Sequence, residues 1–370
     1  MMRSSKLARF AAIRVVGEAM VGALTLATLG LGAPVPALAA GSAERPAWRV
    51  VHGGGTADLR AVSPVSRDVV WASGSGGTVL RTVDGGRSWR NVAPLGTSLL
   101  QLRGLKAFDA DNAVIMSIGN HPHDFRLYRT GDGGAHWQLT NENHNPQAFY
   151  DCMAFFDRQR GLVLSDPVDG KFRILATGDG GRSWRIDSPA NLPPANPGEF
   201  GFAASDSCIT TSGPDHAWFG TGGTTGSRVF RSSDGGRTWS VAQTPIRTGD
   251  AAGIFSVAFR DQRQGLAIGG DFTTPASAPR ALALSSDGGR TWSLVGGDAA
   301  PGEYRSGAAW IPGQDGTAVA VGLTGSDITA DGGRHWRRFD SGSFDAVVCT
   351  PAASCWASGA NERIGVLSPS

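Results

Sequence analysis

Pro197-Gly198-Glu199-Phe200 and Pro301-Gly302-Glu303-Tyr304 place a carboxylate beside an aromatic ring twice in one chain. In the second copy Arg305 follows, so a carboxylate, a phenol and a guanidinium stand in a row. A glutamate that takes the proton of a tyrosine makes a nucleophile, and arginines grip an anionic substrate; this is one route to glycoside cleavage. Glu303, Tyr304, Asp151 and Glu199 are the catalytic candidates for it. A second route uses two acids across the scissile bond, drawn from Asp151, Asp166, Glu199, Asp271 and Glu303. The plain alternative is that each Pro-Gly-Glu turn anchors its own loop. His121, His123 and His144, with Asp124, carry donor atoms suited to zinc or copper, although His-x-His is also common in solvated loops. No Gly-x-Ser-x-Gly elbow supports a hydrolase triad. No phosphate-cradling loop leads from a strand into a helix, which argues against nicotinamide and flavin chemistry. No cofactor is expected.

Six further carboxylates, Asp84, Asp132, Asp179, Asp234, Asp287 and Asp331, share one setting: Asp-Gly-Gly-x-x-Trp, ending at Trp89, Trp137, Trp184, Trp239, Trp292 and Trp336. Successive tryptophans lie 44 to 55 residues apart, the period of an array or a propeller. Two glycines supply positive φ, and the carboxylate accepts nearby N–H groups. The Ser or Thr two residues before each Asp adds a hydroxyl, and the Trp is expected to open the next strand. The six aspartates are therefore expected to be structural.

Between these turns each unit reads as four short strands rich in β-branched, aromatic or small residues, with no helical period. The fourth unit is expected to open with Cys208–Thr211 and the fifth with Phe255–Arg260. The tail supplies Phe344–Thr350, Cys355–Gly359 and Arg363–Leu367, then stops where a turn and a fourth strand are due. Ala47-Trp48-Arg49-Val50-Val51 matches that missing strand. The expectation is an all-β, seven-bladed β-propeller of four-stranded antiparallel blades, closed by pairing of the N- and C-terminal strands, with six blades as the alternative. The Asp-Gly-Gly turns then lie on the bottom face. The linking loops lie on top, where propellers usually bind their ligands. Lining up the inner strands puts Arg60, Arg103, Asp151, Ser207, Ser256, Arg305 or Ser306, and Asp345 around the channel top. Of these, Arg60, Arg103, Asp151, Arg305 and Asp345 are the binding candidates.

Residues 1–40 read as a secretory signal: Arg3, Lys6, Arg9 and Arg14, an apolar run from about Ala19 to Ala33, then Ala37-Leu38-Ala39 as a cleavage site. Residues 41–370 form one domain, expected in the periplasm or outside the cell and monomeric. Losing the signal removes four basic residues and one acidic residue, which takes the formal charge from +2 to −1. No nucleic-acid footprint remains, and no later segment is long and apolar enough to span a bilayer. Only three lysines occur, Lys6, Lys106 and Lys171. In an exported chain the four cysteines permit disulfides. Cys349 and Cys355 flank a short turn and are expected to pair across a hairpin. Cys152 and Cys208 hold equivalent places in successive units, where blade spacing is expected to keep them apart.

The phrase S/T-x-D-G-G-x-x-W resembles the Asp-box, or BNR repeat, of sialidases, xyloglucanases and sortilin-type receptors. Six copies, an export signal and the closing tail make residues 45–370 look most like the photosystem II stability/assembly factor family and its bacterial relatives. That resemblance implies a seven-bladed propeller without catalytic activity that binds a protein partner, a membrane protein or its precursor, during biogenesis. The alternative it leaves is a sialidase-like or other glycoside hydrolase, or a carbohydrate-binding propeller. Sialidases carry Phe-Arg-Ile-Pro; here Phe172-Arg173-Ile174-Leu175 lacks the proline.

Overall fold

The computed structural model describes residues 45–187, 191–352 and 354–367. The signal reading of residues 1–40 lies outside them. Seven antiparallel sheets surround a channel. The inner strands, one per blade, are Leu59–Pro64, Gln101–Ala107, Tyr150–Phe155, Ile209–Ser212, Gly249–Phe259, Gly307–Trp310 and Ala346–Thr350. Each enters at the top and leaves at the bottom. The turn between the third and fourth strands of blades 1 to 6 is an Asp-Gly-Gly turn, so these turns share the bottom face. Blade 7 takes its outer strand from the N-terminus: Trp48–His52 pairs with Arg363–Leu367, Trp48 opposite Leu367 and His52 opposite Arg363.

The Asp-Gly-Gly turn is both a local knot and a fastener between blades. In the fourth copy Ser232 Oγ donates to Asp234 Oδ1 at 2.8 Å and accepts from Gly236 N at 2.9 Å. Asp234 Oδ1 also accepts from Thr238 N at 2.9 Å, and Oδ2 from the Thr238 hydroxyl at 2.5 Å. Partial burial opposes ionisation of the equivalent Asp287; the Thr291 and Ser285 hydrogen bonds outweigh it and hold that carboxyl at about 2. The second glycine lies against the preceding blade. At Gly134, with φ +86°, an added Cβ would fall 2.7 Å from Val92 of blade 1. Gly181 meets Val114, Gly236 meets Leu162 and Gly86 meets Trp356 of blade 7 in the same way. Each Trp stands one residue before the fourth strand, which begins at Arg90, Gln138, Arg185, Ser240, Ser293 and Arg337. Its ring packs between blades, as in the edge-on pair of Trp137 with Trp71 at 6.3 Å, or within its own, as in Trp184 with Phe155 at 6.0 Å. Loss of charged hydrogen bonds at one turn costs about 1–2 kcal/mol. Asp234→Ala is therefore expected to lower the unfolding free energy by that amount, read as a lower urea midpoint at unchanged slope, without changing top-face binding.

Three features depart from the sequence reading. Cys152 and Cys208 are bonded, with Cα atoms 5.9 Å apart, because inner strands converge on the axis and bring equivalent positions of adjacent blades close. Cys349 and Cys355 are bonded across their hairpin as expected. Blade 4 opens at Ile209 rather than Cys208, and the inner strand of blade 5 begins six residues early, at Gly249. That extension adds Gly222–Gly223 and Glu199–Phe200 to blade 5, making six strands. The added strands approach so closely that a Cβ on Gly253 would lie 2.5 Å from the Gly222 Cα.

Candidate functional site

The inner strands bulge where the sequence placed its charged ring. Pairing skips Arg60 in blade 1, Arg103 in blade 2 and Asp151 in blade 3. A bulge leaves one residue out of the ladder and re-aims its side chain. In blade 5 the skipped residue is Phe255, not Ser256; Ser256 Oγ instead accepts from Ala308 N of blade 6.

These residues do not form one open mouth. Arg60 reaches across the seam between blades 1 and 7 to Asp345 Oδ1 at 2.7 Å, with the Arg60 side chain 14% exposed. Arg103 is buried; its Nε donates to Gln101 Oε1 at 2.9 Å and its Nη1 to the Ala203 carbonyl. Burial and neighbouring Arg60 lower the Arg103 guanidinium to about 9, so it stays cationic at neutral pH. Burial raises the Asp345 carboxyl, against the pull of Arg60 and Arg103. The Tyr304 hydroxyl belongs to the same cluster. Burial and then Asp345 push it well above the usual phenol range, against Arg60 and Arg103. Its ring stands edge-on to Phe255 at 4.8 Å.

Arg305 leaves the ring. It turns into blade 6, donating from Nε to Asp327 Oδ2 at 2.6 Å and from Nη1 to Thr324 Oγ1 at 3.0 Å. The three guanidiniums Arg60, Arg103 and Arg305 are thus not gathered on one substrate position. Ser306 is buried, its hydroxyl donating to the Asp345 carbonyl at 2.7 Å. Asp151 is buried, with its carboxylate packed on Gly201.

The two Pro-Gly-Glu turns are hooks. Glu199 is buried; Oε1 accepts from Arg228 Nε at 2.9 Å and from the Thr221 hydroxyl at 2.5 Å, and Oε2 accepts from Asn196 N at 2.8 Å. Glu303 repeats this with Thr324 and with Arg338, whose Nη1 donates to Oε1 at 3.0 Å and Nη2 to Oε2 at 2.9 Å. Burial opposes ionisation of Glu303, yet Thr324 and Arg338 together lower its carboxyl below the usual value. Glu303 thus spends its oxygens on the blade rather than on the Tyr304 hydroxyl. Asp166 Oδ1 holds Gly201 N at 3.0 Å, and Asp271 Oδ1 closes a local turn on Thr273. The His121 and His123 rings stack at 5.4 Å, and His144 Nε2 lies 3.8 Å from Glu142. Among the described residues no group of three His, Cys, Asp or Glu side chains is placed to hold a metal ion.

Sequence reasoning missed a plug. Phe202–Ser207, on the way from blade 3 to blade 4, crosses the channel. Ala203 accepts from Arg103 of blade 2, and Ser205 Oγ donates to the Ser306 carbonyl of blade 6 at 2.6 Å. Asp206, at φ +59°, accepts from Leu105 N at 2.9 Å and Met153 N at 2.7 Å, tying blades 2 and 3. Below the plug lies a channel cavity of about 490 Å³. On the top rim, the loop between blades 1 and 2 displays Leu95 and Leu99, 101% and 92% exposed. That loop is pinned: Gly77 N donates to the Leu100 carbonyl at 2.9 Å, and the buried Thr97 hydroxyl donates to Pro94 O at 2.8 Å.

No family model matches the chain, and no curated protein matches it. Solved structures do. YCF48 bound to D1 peptide is 15% identical with a TM-score of 0.61, over 86% of this chain and 94% of that one. YCF48 from Cyanidioschyzon merolae gives the same identity and TM-score, over 86% and 98% of the two chains. The GH74 xyloglucanase of Xanthomonas campestris is 14% identical with a TM-score of 0.56, over 85% of this chain and 54% of that one. The Pan2 WD40 domain of Neurospora crassa is 12% identical with a TM-score of 0.59, over 88% and 96%. At such identities the likeness establishes a shared seven-bladed propeller fold.

Proposed function

We propose that the chain is an exported, non-catalytic binding propeller that docks a protein partner, a membrane protein or its precursor, on its top face. The observation that carries this reading is the pair Leu95 and Leu99, held in water on a loop whose backbone is pinned. Burying both leucines against a partner returns about 3–6 kcal/mol, and a rigid loop loses little entropy on binding. Arg60 is the charged contact within this reading, with Arg103, Asp151, Arg305 and Asp345 fixing the rim beneath it. A YCF48 structure with bound D1 peptide lends support by analogy. The leading residues 1–40 support export, which a mature N-terminus near residue 40 would verify.

The test is capture from a membrane extract by immobilised protein. One partner should be enriched by the wild type and at least tenfold less by a Leu95→Asp/Leu99→Asp variant. That variant should melt within about 2 °C of wild type, since exposed substitutions shift stability little. Equal capture by both proteins would overturn top-face docking.

A further inference from the structure

The channel cavity is separate from the top face. Its upper end is closed by Ser205, Asp206 and Ser207, and its lower end reaches the exposed turn Pro312–Asp315, so it opens on the face of the Asp-Gly-Gly turns. Its volume suits a small molecule. Leu105, Met153, Ile209 and Val257 give it apolar walls, and Thr210 a hydroxyl. Lys106 also lines it. The Lys106 side chain is exposed, yet neighbouring protein desolvates its ammonium and lowers its pKa. Among the described residues the ammonium makes no hydrogen bond or ion pair, which leaves three donors for a ligand. Asp206, across from it, is pushed up to about 8 by burial, which outweighs its bonds from Leu105 N and Met153 N and the charge of Lys106. Lys106 is then the cationic group on the wall beneath the plug, with Arg260 and Asp315 farther down at the rim. At the rim, Arg260 is engaged by Asp261 at 3.2 Å.

We infer that the lower channel is a binding site for a small organic acid with an apolar body, its carboxylate taken by Lys106 and its body by the channel wall. One cation matches a monoanion; a phosphate or sulfate would call for several donors of charge, and an uncharged ligand would cover the ammonium without compensating its charge. The site is independent of top-face docking, because the plug separates them.

Calorimetric titration with octanoate and 1-naphthoate tests this, with 1-octanol and sulfate as comparators. At pH 6.5 the wild type is expected to bind at least one of the two acids at a single saturable site, and both comparators at least tenfold more weakly. Lys106→Met, at unchanged melting temperature, should lose at least tenfold in acid affinity. Thr210→Trp, which fills the channel, should abolish binding. Raising the pH to 9 should weaken binding, since Asp206, pushed up to about 8, gains its charge beside Lys106. The other charged groups, Arg260, Asp261 and Asp315, sit at the rim. Absence of saturable binding for both acids, affinity unchanged in Lys106→Met, or sulfate bound as tightly as the acids would each overturn the proposal.

Discussion

A chain lacking residues 45–52 is expected to lose cooperative folding. Those residues supply the outer strand of blade 7, and five residue pairs in unbroken register join the strand Trp48–His52 to Arg363–Leu367. Trp48 also crosses the seam to blade 6, donating from Nε1 to Ser326 Oγ at 2.9 Å and packing on Phe339 at 5.8 Å and Phe344 at 5.3 Å. Removing the strand uncovers Phe344 and leaves an unpaired, largely apolar edge, which invites association between chains. Trp48→Ala alone should cost about 3–5 kcal/mol, a large part of the 5–15 kcal/mol that typically separates folded from unfolded domains. Urea unfolding followed by tryptophan fluorescence measures both. A truncated chain that unfolded in one transition at the wild-type midpoint would show that the ring does not depend on this closure.

The blades could be read from sequence because the chemistry that marks them is local. Ser232, Asp234, Gly236 and Thr238 bond one another within seven residues, so six copies were visible and a seventh was visible by its absence. Arg60, Arg103 and Asp151 are also within reach, since they fall at equivalent places near the start of successive inner strands. Arg305 is not. Lining up the chain's own inner strands leaves Arg305 and Ser306 interchangeable, and the choice is made by Asp327, a buried carboxylate on another strand of the blade. The plug was illegible for a stronger reason. Its partners Arg103 and Ser306 lie 100 and 101 residues away from it, and its two-residue companion strands are too short to carry a period. Lys106 stood out only as one of three lysines. Nothing in the text of the chain says that a segment between blades 3 and 4 closes the channel above it. The Cys152–Cys208 bond is hidden from the sequence because blade spacing, wide at the rim, shrinks toward the axis, where their Cα atoms lie 5.9 Å apart.

Glu199 is where the catalytic and scaffold readings of the Pro-Gly-Glu phrase make opposite forecasts. Glu199→Ala is expected to destabilise the protein by about 3–5 kcal/mol, the cost of leaving a buried guanidinium without its counter-charge. Arg228 has little to fall back on: its Nη2 reaches the Pro194 carbonyl at 2.8 Å, and its guanidinium lies over Phe230 at 4.9 Å, but among the described residues no second carboxylate pairs with it. Asn196 N would lose its acceptor, and the Thr221 hydroxyl would keep only the longer bond to the Arg228 carbonyl at 3.2 Å. Replacing both partners by apolar residues, as in Glu199→Leu/Arg228→Met, should recover much of the loss, because a well-packed apolar pair avoids the desolvation that the ions bear. Glu199→Gln keeps the shape and removes the charge, so its effect should fall between wild type and Glu199→Ala. A general acid or nucleophile behaves otherwise: its removal abolishes turnover and leaves stability nearly intact, since strained or under-paired groups at reacting centres tend to weaken a fold rather than hold it. Urea midpoints for the four proteins, run beside a fluorogenic glycoside panel, decide the matter. Turnover by wild type that vanishes in Glu199→Gln at an unchanged midpoint would make Glu199 catalytic; a graded loss of stability ending in partial rescue by the double variant makes it the hook that ties the loop before blade 4 to the body of the ring.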